Sequence, residues 1–139
     1  MGRLLGGRFL CLTHVGRKSG RQYRTVLEVT GTDRAPGEVF AIAGLGPAAD
    51  WYRNIELVPA AEVIVGRRRF VPAQRVVGEG ESVAVLAAYE RRNRLALPVI
   101  RRVLSNLLGW RYDGSDAARL RLARQLPVVA FRPVEGISG

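Results

Sequence analysis

Two cations, a hydroxyl and two glycines follow one another at Gly16-Arg17-Lys18-Ser19-Gly20. Guanidinium and ammonium donors beside a hydroxyl and open backbone amides make a compact receptor for an oxyanion, and phosphate suits it best, because charge-assisted hydrogen bonds converge on one small anion. Taken alone, the same loop reads equally well as the solvated basic tip of a hairpin. A second glycine-rich stretch, Gly44-Leu45-Gly46-Pro47-Ala48-Ala49, has the spacing of a dinucleotide fingerprint with Glu62 downstream. That chemistry requires a parallel crossover, whereas the neighbouring strands read as antiparallel hairpins. The stretch is therefore expected to be a strand exit whose backbone something can approach closely.

Other chemistries lack their residues. His14 is the one histidine, and without a partner for a triad or a metal it reads as a structural residue. No paired zinc ligands and no Walker loop are present, so no metal site is expected. Cys11 is the one cysteine, which leaves no disulfide framework and suits a reducing cytosol.

The elements that must position the basic loop follow from periodicity. Arg8 to His14 reads as a strand, and Tyr23 to Thr30 alternates as a second, half-buried strand, so the loop joins a hairpin. After a turn containing Asp33 and Pro36, a third strand runs from Glu38 to Ala43. Asp50 is placed to cap a helix from Trp51 to Val58, which stops before Pro59. Strands are expected at Glu62–Val65 and Arg68–Val77, with Pro72 marking an edge or a bulge.

Helical spacing begins after Gly80 with Val83, Leu86 and Tyr89. A helix from Pro98 to Leu108 is bracketed by its proline and by Gly109, and places Val99, Ile100, Val103, Leu104, Leu107 and Leu108 on one apolar face opposite Arg101, Arg102, Ser105 and Asn106. A third helix is expected at Asp116–Gln125, and Leu126–Arg132 forms a sixth strand. Short turns between strands predict an antiparallel sheet closing into a small barrel, with helices outside, in one domain spanning residues 1–139.

The chain carries 22 lysines and arginines against 12 acidic residues, a net +10, and Lys18 is its one lysine. Such an excess concentrates anionic partners, whether a polyanionic small molecule, acidic lipid or nucleic acid. The clusters Arg67-Arg68-Arg69 and Arg91-Arg92-Asn93-Arg94 suggest the last, but few aromatics interleave with them and no nucleic-acid motif is present, so nucleic acid is not expected as a partner. No apolar run reaches the roughly 20 residues of a membrane span, and Gly6, Gly7 and Arg8 interrupt any export signal.

Taken together, GRKSG followed by Thr25 and Leu27, then DWYRNI at Asp50 to Ile55, then LPVVAF at Leu126 to Phe131 resemble the deazaflavin-dependent nitroreductase family, which includes F420-dependent quinone reductases. The resemblance spans Leu10 to Pro133. It implies a mainly β fold, an FMN-binding-like split β-barrel of six antiparallel strands with flanking helices. It also implies an oxidoreductase that passes a hydride from reduced coenzyme F420 to a quinone, nitro compound or similar small-molecule acceptor. By this resemblance Arg17, Lys18, Ser19 and Gly20 hold the coenzyme's phosphate and acidic tail. Thr25 and Val26 lie along its ring, the family's ASKGG stretch falls on Ala43, Gly44, Leu45 and Gly46, and its tryptophan and asparagine fall on Trp51 and Asn54.

Tyr89 is the candidate to hydrogen-bond or protonate the acceptor. No protein nucleophile is needed, since the coenzyme carries the chemistry. Three departures stand out: Tyr23 replaces an arginine, Gly44 and Leu45 replace a serine and a lysine, and the segment from Glu90 to Arg124 is longer and more basic than is usual. The lost lysine keeps FMN or haem as alternative cofactors in the same fold. An anionic membrane surface beneath the apolar helix and a second copy of the chain are further candidate partners.

Overall fold

Strand β1 (Phe9–Val15) turns back through the basic loop into β2 (Gln22–Asp33); the computed structural model describes residues 8–33, 37–44 and 46–134. The antiparallel ladder runs from Phe9 opposite Glu28 to Val15 opposite Gln22. In the loop Gly20 takes φ 72°, a left-handed conformation that favours glycine. Gly16 is needed for space instead. A Cβ there would lie 2.6 Å from Ser19 Oγ and 2.8 Å from Tyr23 Cε2.

The long strand β2 serves both halves of the sheet. A register shift between Val29 and Gly31 bends it, and from Val29 onward it pairs with β3 (Glu38–Ile42). On the far side of β1 lie β4 (Glu62–Val65) and then β5 (Arg68–Phe70). On the far side of β3 lie β7 (Val128–Pro133) and then β6 (Pro72–Val76). The order is β5-β4-β1-β2-β3-β7-β6, antiparallel at every described pairing. The two outermost strands are consecutive in the chain, separated by Val71, so the sheet curls into a nearly closed barrel.

The sheet has seven strands where the sequence suggests six. Arg68–Val77 is two strands on opposite edges, because Pro72 has no N–H to extend the first ladder and the chain crosses to the other half there. Antiparallel pairing on both sides of Gly44 and Gly46 also removes the dinucleotide-fold alternative.

Four α-helices pack on this sheet: α1 (Asp50–Leu57), α2 (Glu79–Arg92), α3 (Leu97–Leu108) and α4 (Asp116–Gln125). Asp50 is the first residue of α1 and not its cap, a position held by Ala49. Alternation along β3 and β7 divides the apolar residues into two cores. Val39, Ala41, Val129 and Phe131 join Leu10, Leu12, Val63 and the α1 residues Trp51, Tyr52 and Ile55. Phe40, Ile42, Val128 and Ala130 meet Leu86, Ile100, Leu104 and Leu122 of the other helices.

From Leu27 to Gly31 β2 is buried on both faces, unlike the half-buried strand expected, because α2 lies over it. Tyr89 donates to Glu28 Oε2 at 2.7 Å, and Arg92 Nη2 donates to the Thr30 carbonyl at 2.8 Å. The apolar stripe of α3 also splits. Ile100, Leu104 and Leu108 are buried, whereas Val99 and Leu107 remain 50% and 38% exposed. Among the described residues no helix is long and apolar enough to cross a membrane.

Candidate active site

The hairpin tip and the start of α1 enclose a cleft of about 450 Å³. Arg17, Lys18 and Ser19 come from the loop, His14 from β1, Tyr23, Arg24 and Thr25 from β2, and Asp50 and Asn54 from α1. Antiparallel register sets His14 opposite Tyr23, two residues from Thr25. The rings of His14 and Tyr23 stack at 5.9 Å. The spacing of Asp50 and Asn54 is one helical turn, so both face the loop.

Asn54 is the buried keystone. Its Oδ1 accepts from the backbone N–H of Arg17 at 3.1 Å and from Arg17 Nη1 at 2.7 Å, and its Nδ2 lies 3.0 Å from His14 Nδ1. The other ring nitrogen, Nε2, is 2.8 Å from Thr25 Oγ1. Arg17 Nη2 also reaches Asp50 Oδ1 at 3.5 Å, across an exposed edge. Burial pushes the imidazole pKa below its ordinary value, against the opposing pull of Asp50, so His14 stays neutral near pH 7. Ser19 Oγ accepts from the Arg21 amide and bonds the Tyr23 hydroxyl, which shapes the tip.

Three cations, Arg17, Lys18 and Arg24, line the cleft against one carboxylate, Asp50. Lys18 and Arg24 make no salt bridge among the described residues. A second cavity of about 570 Å³ shares Arg17 and Lys18 and adds Arg53, Glu56 and Leu57. The surplus of positive charge on both sides of Lys18 fits a polyanionic molecule.

The profile of the F420H(2)-dependent quinone reductase family matches residues 1–98 of the sequence. The chain belongs to that family. It is an oxidoreductase that depends on reduced F420, and the cationic cleft fits that anionic coenzyme. Among solved structures, a protein of unknown function from Agrobacterium tumefaciens is 18% identical with a TM-score of 0.54, over 93% of this chain and 49% of its own. A domain-swapped dimer is 18% identical with a TM-score of 0.50, over 89% of this chain and 79% of its own. An F420-H2 dependent reductase, FDR-A, is 18% identical with a TM-score of 0.49, over 89% of this chain and 93% of its own. At these identities the first two show a shared fold. No curated protein matches the sequence.

The structure brings together Arg17, Lys18, Ser19, Thr25 and Asn54 of the residues that the family resemblance singles out. Gly20 sits at the loop's end and Val26 is exposed beside the cleft, neither lining it. Trp51 is buried in the core, edge-on to Tyr52 at 5.9 Å. Ala43 is fully buried, Gly44 lies against Leu107 of α3, and Gly46 adopts φ 75° beside Leu126. Leu45 lies outside the described residues. Tyr89 opens on a separate cavity of about 320 Å³ with Arg8, Gly31, Arg92 and Asn93.

Sequence reasoning overlooked His14, Tyr23, Arg24 and Asp50 as cleft residues. The hairpin register held the signal for His14 and Tyr23. Counting outward from the loop places His14, Tyr23 and Thr25 side by side.

Proposed function

We propose that the cleft at the hairpin tip binds reduced F420 and that a quinone, nitro compound or similar organic acceptor is reduced at its mouth. The observation that carries this reading is the convergence of Arg17, Lys18, Thr25 and Asn54 on one cation-rich cleft. When bound, the coenzyme supplies the hydride. Arg17 and Lys18 hold its anionic tail, and Ser19 keeps the loop tip in shape. Thr25, in the cleft wall, would lie along the ring. Asn54 fixes the loop to α1, and Trp51 anchors α1 in the core, so Arg17 is preorganised rather than ordered on binding. No step passes through Tyr89, whose hydroxyl is directed to Glu28.

Fluorescence titration with F420, beside parallel titrations with FMN and haem, tests the assignment. Preferential F420 binding and quinone-dependent oxidation of the reduced coenzyme support it. Tighter binding of FMN or haem sinks it.

A second observation favours a meeting place for a lipid-soluble acceptor. Leu95 is fully exposed, Val99 half-exposed and Leu107 partly so, on a surface that also presents Arg94 and Arg102. An apolar ridge flanked by arginines suits the interface of an anionic membrane.

A further inference from the structure

The hydrogen bonds around Asn54 fix the direction of the protons along one wall of the cleft, from Arg17 to Thr25. Both groups that approach Asn54 Oδ1, the Arg17 amide and its guanidinium, donate and neither accepts. The amide of Asn54 therefore has its oxygen toward Arg17, because the opposite orientation would set N–H groups against N–H groups. Its Nδ2 then necessarily donates to His14 Nδ1. A nitrogen that accepts carries no proton, so the neutral imidazole bears its proton on Nε2. That proton is donated to Thr25 Oγ1 at 2.8 Å.

Thr25 is left with one lone pair taken and its own proton unplaced. Among the described residues its hydroxyl makes no other hydrogen bond, and Thr25 is half-buried at the cleft wall. From this we infer that Thr25 donates a hydrogen bond to the molecule in the cleft, its hydroxyl oriented by the relay from Arg17 through Asn54 and His14. The inference rests on the proposed function in taking that molecule to be the deazaflavin coenzyme. The chemistry it selects is narrower: an oxygen or nitrogen lone pair, such as a ring carbonyl, at the place where Thr25 opens into the cleft.

Two measurements test this. Nitrogen-15 NMR of the ligand-free protein reads the imidazole directly, and the single histidine makes the assignment unambiguous. A proton on Nε2 with Nδ1 bare is expected; a proton on Nδ1, or on both nitrogens at neutral pH, overturns the relay. F420 titration of Thr25→Val and Thr25→Ser gives the second reading. Thr25→Val is expected to weaken binding about tenfold and, because it also leaves the His14 Nε2 proton without its acceptor, to lower thermal stability, whereas Thr25→Ser, which keeps the hydroxyl, is expected to bind within about twofold of the parent and to melt close to it. Parent-like binding by Thr25→Val overturns the donor role. If the parent fails to bind F420 at all, the proposed function falls, and the NMR tautomer alone decides for or against the relay.

Discussion

Asn54 Oδ1 holds Arg17 twice, through its backbone N–H at 3.1 Å and its guanidinium at 2.7 Å, and so ties the hairpin tip to the first helix. Asn54→Ala leaves the Arg17 amide and His14 Nδ1 without partners in a buried setting. The expected cost is about 1 to 3 kcal/mol of stability. Faster hydrogen exchange of the Arg17 amide should accompany a lower denaturant midpoint. A variant with both quantities unchanged would show that the loop is held by other contacts.

Lys18→Ala should weaken F420 binding by about 1 to 3 kcal/mol at low ionic strength. The loss should shrink as salt rises, since exposed charges are screened over roughly 8 Å at physiological ionic strength. It should shrink too when the acidic tail of the coenzyme is trimmed. Arg91, exposed on α2 outside the lining of the cleft, supplies the control. An equal loss from Arg91→Ala would mean that net charge alone attracts the coenzyme.

The pKa of His14 is lowered in the folded protein by burial. As pH falls through about 6.5, the unfolded chain takes up a proton that the folded chain resists, so stability declines with acidification, at most by about 1.4 kcal/mol per pH unit. With one histidine in the chain, that decline belongs to His14. Urea midpoints at about pH 7.5 and about pH 5.5 should converge in His14→Gln and diverge in the parent. Equal decline in both would assign the acid sensitivity elsewhere.

Vesicle co-sedimentation tests the lipid reading of α3 and the turn before it. The parent should pellet with phosphatidylglycerol vesicles at low salt and stay in solution with phosphatidylcholine. Replacing Leu95 and Val99 by aspartate should abolish pelleting without affecting the fold, since both side chains are at least half exposed. Parent protein that ignores anionic vesicles rules the contact out.

Much of the barrel was legible because its strands carry local signals. The hairpin around GRKSG, Glu62–Val65, Asp116–Gln125, and the end of α3 at Gly109 follow from alternation, caps and turn residues. What periodicity does not carry is which faces are covered. The continuous apolar runs in β3 and β7 are buried on both sides by barrel and helices, and Val71 changes sheet halves through a tertiary contact, the Val134 N–H on the Val71 carbonyl at 3.1 Å. The cleft was half legible. Its loop is a contiguous motif, whereas His14 and Asp50 join it only through pairing and helix packing. A lone histidine looked structural, since its partners are a threonine and an asparagine 11 and 40 residues away.

The narrow gap in the barrel gives part of the arginine surplus a different meaning. β5 is a three-residue edge strand, and two of its residues are Arg68 and Arg69, both exposed. Arg68 lies over the Phe70 ring at 5.1 Å and donates to the Gly37 carbonyl, while Arg69 leans toward Glu62 at 3.6 Å. An unpaired edge invites a strand from another molecule, and short length with charged side chains discourages it. The cations that look from composition like a lure for an anion thus also disfavour edge-to-edge pairing of this sheet with that of a neighbouring copy.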